Sequence, residues 1–161
     1  MSTTIYYDNI QKLLFRYADL VEQSNSLGLS NETVNAENLF CEFLNKAFGW
    51  KLINANENVR NQDTFDLIDK KKGIAVQVTS NKNYSAKLNN TLVAFKRNPQ
   101  NEKIKHLIIL FISRKCPATV LKEVKSNGFV YESYDIPKLL RKVYYKNKLP
   151  RQLRPLNKIF A

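Results

Sequence analysis

The chain has 161 residues, of which 43% are hydrophobic and 25% charged, with only four glycines and five prolines. That is enough to bury a core without disulfides or metals, and it excludes collagen-like, linker-like and low-complexity chains. Twenty-six Lys and Arg against fourteen Asp and Glu give a net charge of +12, which calls for an anionic partner: nucleic acid, a membrane surface or an acidic protein. Cys41 and Cys116 are far apart and have no metal-ligand neighbours, so both read as reduced thiols, which fits a cytoplasmic protein. The start of the chain has neither a basic region nor an apolar one, so no secretory signal is expected. No apolar run approaches the roughly 20 residues that cross a bilayer.

Residues 4–27 carry Tyr6, Ile10, Leu13, Leu14, Tyr17, Leu20 and Val21 at three- and four-residue steps, which predicts a helix stopped by Gly28. Ser30 or Asn31 caps a second helix, which runs to about Phe48 and stops at Gly49. Strands are predicted at Trp50–Ile53, Phe65–Ile68 and Ile74–Thr79, with an Asn-rich loop over 54–62 and a turn at 69–73. A helix at Tyr84–Arg97 and a buried strand at His106–Ile112 follow. Pro117–Asn127 reads as a short helix, Phe129–Tyr134 as a strand, Ile136–Tyr145 as a last helix and 148–161 as an irregular tail. The expected fold is α/β: a mixed central sheet of about five strands flanked by helices, behind a two-helix N-terminal segment, all in one domain over 1–161.

Three features carry chemistry. Glu37 falls within the apolar face set by Phe40, Phe43, Leu44 and Ala47, whereas Glu42 points away. A carboxylate on a buried face needs a metal or an ion-pair partner. Asp66 interrupts a short apolar strand, which is unfavourable unless it has a role. In IAVQVTS, Ile74, Val76 and Val78 share one side while Gln77 and Thr79 share the other. A polar pair on a central strand lines a cleft, although a sheet with one wetter face is the simpler reading.

An inward Glu, a strand with an Asp, a hairpin turn and a strand with a polar-x-polar pair together resemble the PD-(D/E)xK, restriction-endonuclease-like superfamily. FDLID-KKKG-IAVQVTS is similar to the core of its Mrr-like branch. The run from Glu37 through FLNKAFGW and LINAN to DLID and AVQVTS more closely resembles the SMEK domain, a bacterial module associated with conflict and defence. The likeness covers residues 5–112 and extends to the C-terminal third by topology only.

The resemblance implies metal-assisted phosphodiester hydrolysis in defence against foreign DNA or RNA. Glu37 and Asp66 would hold Mg²⁺ or Mn²⁺, with Gln77 as a further ligand. Thr79 stands where the family has its lysine, and Gln77 where it has an acid. Lys87, or failing that Lys82, is the expected substitute for the missing positive charge. The alternative is a catalytically inactive module that binds nucleic acid or a partner protein.

Eight basic residues oppose one acid from Asp135 onward. Lys138, Arg141, Lys142, Lys146, Arg151 and Arg154, with Lys71 and Lys72 in the turn, are the candidate nucleic-acid contacts. A solvated helix face is the plainer reading of such a run. The partners expected are nucleic acid, with DNA ahead of RNA, a separate effector or sensor protein, and a second copy in a homodimer. A membrane is not expected, because the last helix lacks a wide apolar face. His106, the only histidine, reads as structural.

Overall fold

The computed structural model describes residues 3–28, 31–55 and 64–146. The predicted tail at 148–161 and most of the 54–62 loop lie outside them. Helix α1 (Thr3–Ser26) buries Ile10, Leu14, Ala18 and Val21, spaced four, four and three residues apart. This stripe is narrower than the sequence suggests, because Leu20 is exposed. Helix α2 (Asn31–Phe48) buries Ala36, Phe40, Phe43, Leu44 and Ala47 on the predicted face.

Among the described residues the sheet has six strands: β1 (Ile53–Asn54), β2 (Leu67–Asp69), β3 (Ile74–Thr79), β4 (His106–Phe111), β5 (Glu123–Ser126) and β6 (Phe129–Tyr134). Their spatial order is β1-β2-β3-β4-β6-β5. β3, β4 and β6 run parallel, and the outer pairs are antiparallel. Helix α3 (Tyr84–Arg97) connects β3 to β4, followed by a 3₁₀ turn at Pro99–Lys103, and helix α4 (Ile136–Lys146) follows β6.

The alternation along β3 sorts the core into two layers. Val76 and Val78, with Ile108 and Leu110 of β4, meet α1, α2 and α4. Ala75 and Leu107 meet Leu92 and Phe95 of α3, while Ile109 and Phe111 pack with Cys116, Val120 and Tyr84. All six residues of β3 are buried, as a central strand requires. No helix among the described residues is long and apolar enough to cross a membrane.

Two predicted elements differ. The expected helix over 117–127 is instead a turn followed by β5. Asn127 and Gly128 both adopt positive φ, 47° and 78°, and join β5 to β6 as a tight hairpin. An Asn-Gly pair between strands is a strong hairpin signal, and here it outweighs the helix-start reading of Pro117. The expected strand at 50–53 shortens because side chains satisfy its backbone. Asn45 bonds both N–H and C=O of Leu52, at 2.7 and 3.0 Å. Asp69 Oδ2 accepts from Lys51 N at 2.9 Å.

Candidate functional site

Asp66 sits just ahead of β2 rather than inside it. Its backbone continues the pairing for one more bond, Asp66 N to Val76 O at 2.9 Å. With Leu67 opposite Val76, continuation of the register sets Asp66 opposite Gln77. Asp66 Oδ2 then accepts from Gln77 Nε2 and from Val78 N, each at 2.8 Å. A side chain thus takes the place of a ladder partner along the outer edge of β3. Asp66 is 8% exposed, and so is Gln77.

Glu37 reaches the same place from α2, where it is half-buried. Burial and the negative charge of Asp66 push its pKa up to about 7, and the two carboxyls come within hydrogen-bonding reach. Asp66 is also raised, by burial, against the opposing pull of the Val78 N–H, the Lys87 charge and the hydrogen bond with Glu37. Lys87, in the first turn of α3, is therefore the basic residue whose charge reaches Asp66. Glu37, Asp66, Gln77 and Lys87 converge from α2, the start of β2, β3 and α3.

Lys82 and Thr79 do not join them. Lys82 forms an exposed ion pair with Glu22 of α1. Thr79 is buried two residues further along β3, where its Oγ1 accepts from Asn81 N at 3.2 Å. Glu42 is exposed and pairs with Lys46, as its position on α2 predicts.

The oxygen set fits a hard divalent cation. Two carboxylates stand together in a partly desolvated edge, each held above its ordinary pKa, and a cation there would relieve their repulsion. Gln77 points its NH₂ at Asp66, which leaves its amide oxygen for another partner. Among the described residues no group of three or more His, Cys, Asp or Glu could hold a metal, so the set is two acids and an amide.

The basic surface divides. Lys146 Nζ donates to Phe48 O at 2.7 Å and Lys72 Nζ to Gly49 O at 3.5 Å, so both close the C-terminal end of α2. Lys138 is half-buried and donates to Ser133 O at 2.8 Å, with its ammonium over the Tyr134 ring. Arg141 and Lys142 are exposed and line a groove with Ala118, Leu121 and Tyr145. Lys71 is exposed in the turn, and Arg151 and Arg154 lie outside the described residues.

Asp69 belongs to the turn before β3, as the predicted turn at 69–73 has it, and closes it by accepting from Lys72 N and Lys51 N. The sequence reading passed over the buried acid Glu132. Glu132 accepts from Tyr134 Oη at 2.5 Å and meets His106 Nε2 at 2.9 Å. Burial raises its pKa, but these two hydrogen bonds outweigh that and hold it at about 2. The signal was an acid within the apolar strand FVYESY, the same signal that marked Asp66. His106, read from the sequence as structural, is held by this contact with Glu132.

No curated protein and no solved structure matches the chain significantly. The model of the SMEK domain matches residues 9–144, so the chain belongs to the SMEK domain family.

Proposed function

We propose that this SMEK-domain chain is a divalent-metal-dependent nuclease of restriction-endonuclease-like type, acting in bacterial defence against foreign DNA or RNA. One observation carries the reading: where β2 begins beside the central strand β3, two raised carboxylates, Glu37 and Asp66, stand together within reach of the Lys87 charge. Structural ion pairs seldom place two acids together in a desolvated spot, whereas a cation site requires it.

Glu37, Asp66 and the Gln77 amide oxygen would hold Mg²⁺ or Mn²⁺, which supplies charge neutralisation and a bound water of lowered pKa. The Val78 N–H and the Gln77 NH₂ fix the orientation of Asp66. Lys87 takes the role of the motif lysine that Thr79 replaces, stabilising negative charge on a phosphate oxygen. Arg141 and Lys142 contact the nucleic-acid backbone, DNA ahead of RNA. We place the protein in the cytoplasm, acting with a separate effector or sensor protein and able to form a homodimer.

The test is incubation of the full chain with single- and double-stranded DNA and RNA in Mg²⁺ or Mn²⁺. Cleavage should fall by about 10²–10³ in Lys87→Ala and be lost in Glu37→Gln. No cleavage of any substrate, or cleavage unchanged in Glu37→Gln, overturns the proposal.

A second reading has its own support. Asp66 has a structural task in completing the β3 edge, and a hydroxyl replaces the motif lysine at Thr79. A chain that had lost its chemistry would keep Asp66 for the fold and bind nucleic acid, or a partner protein, without cutting. Salt-sensitive nucleic-acid binding with no metal-dependent cleavage would favour it.

A further inference from the structure

Beyond the carboxyl ends of the parallel strands β3 and β4 lies a cavity of about 250 Å³. In open α/β sheets ligands bind outside the carboxyl ends of the strands. The strand ends supply Thr79, Phe111 and Ile112 to its lining, and none of Glu37, Asp66, Gln77 or Lys87 belongs to it. Tyr84 Oη shares a hydrogen bond of 2.9 Å with Ser113 Oγ, which also donates to Lys115 O at 3.2 Å, so two engaged hydroxyls make part of the polar wall. Lys82, Arg114 and Lys115 add three cations. Helix α3 begins here, with no acid in its first turn and no side-chain bond from its N-cap Asn83, so its positive end adds to the field.

The remaining wall is α1. Asp19 and Glu22, three residues apart, line the cavity from this helix, and Asn25 follows them just outside it. Asp19 accepts from Arg114 Nε and Nη2 at 2.9 and 2.7 Å. Glu22 pairs with Lys82, and Asn25 Nδ2 donates to Ser80 Oγ at 2.6 Å. The charged side chains are 45–66% exposed. Ion pairs this exposed contribute little to stability, so a competing anion can displace their acidic members. Both cations are thus already held in geometry suited to an oxyanion, with carboxylates standing in its place.

We propose that this cavity is a binding site for a phosphate group, and that Asp19 and Glu22 are its built-in competitors. The phosphate is either a free anion or part of a polynucleotide backbone. Gln77 and Thr79 are about 7 Å apart along β3, so a backbone phosphate bound here would lie beside the carboxylate pair.

The test titrates the full chain at fixed ionic strength with inorganic phosphate and, separately, with a short single-stranded DNA. Binding is read by calorimetry in wild type, Asp19→Asn, Arg114→Gln, Glu22→Gln and Lys82→Gln. Asp19→Asn and Arg114→Gln break the same ion pair, and Arg114→Gln also takes the guanidinium from over the Phe15 ring, so thermal stability of each variant is measured alongside. On affinity the two differ in sign: the acid variants should bind about fivefold tighter and the base variants about fivefold weaker. A response to inorganic phosphate identifies the free anion as a ligand, and a response to DNA alone identifies the backbone. If both members of a pair move affinity in the same direction, or no variant moves it, the cavity is not a phosphate site. Glu37 is outside the cavity, so this outcome is independent of the cleavage result.

Discussion

An ordinary glutamate gives up its proton near pH 4.5, but on α2 Glu37 keeps it up to about 7. The folded chain therefore binds this proton more tightly than the unfolded chain does. The resulting stability is fully present below about pH 4.5 and is lost as pH rises to about 7. Because Glu37 is only half-buried, the loss is on the order of 1 kcal/mol. Urea midpoints measured across this range in EDTA should fall, and Glu37→Gln should flatten the fall. Asp66 behaves differently when removed. Asp66→Ala strands the Val78 N–H and leaves the Gln77 NH₂ only its 3.3 Å bond to Val78 O, at a cost of about 1–3 kcal/mol. Asp66→Asn keeps an acceptor oxygen and should cost less, which a denaturant comparison of the two variants checks. Both acids stood out in the sequence because each interrupts an apolar pattern. Lys87 was preferred over Lys82 from the sequence, but what draws Lys82 elsewhere was not legible, since it pairs with Glu22, sixty residues away.

At the scale of elements, helices α1 to α4, β3 and β6 followed from periodicity, since each has a strong apolar pattern and clear end signals. The weak elements are those whose backbone finds partners other than a neighbouring strand. Residues 50–52 read as a strand by composition, yet Asn45 and Asp69, distant in sequence, take up that backbone. Asn127-Gly128 was a local signal that the helix reading of 117–127 passed over. The tightest element is the β2–β3 turn. Gly73 has φ +67°, and a Cβ there would lie 2.9 Å from the backbone oxygen of Lys103. Its carbonyl also accepts from Lys105 N and His106 N, tying the turn to the start of β4. Gly73→Ala should lose about 2–4 kcal/mol from backbone strain and steric overlap together, measurable by chemical unfolding.

For the molecule as a whole, the net charge of +12 pointed to an anionic partner without saying which lysines serve it. Lys72 and Lys146 have ammonium groups engaged by the end of α2, and Lys138 is engaged by Ser133 O. Arg141 and Lys142 remain exposed on α4 beside Tyr145, which is 67% exposed. Replacing Arg141 and Lys142 by Ala should weaken nucleic-acid binding irrespective of sequence. The slope of log affinity against log salt should become shallower by roughly 0.7–0.9 for each phosphate that is no longer neutralised. A binding curve at several salt concentrations measures both effects. Composition could not make this division, because whether a lysine is engaged depends on which carbonyls the fold brings to it.

The structural task of Asp66, beside the proposed one as a metal ligand, bears on how such chains change over generations. A residue that completes a sheet edge is retained for that reason alone, whatever becomes of the chemistry beside it. Glu37 has no comparable protection, since its charge burdens the fold. In lineages where cutting is no longer selected, drift should therefore erase Glu37 first, to Gln or an apolar residue, and leave Asp66 in place. Within this family, an intact Asp beside a missing Glu would be the trace of a retired enzyme.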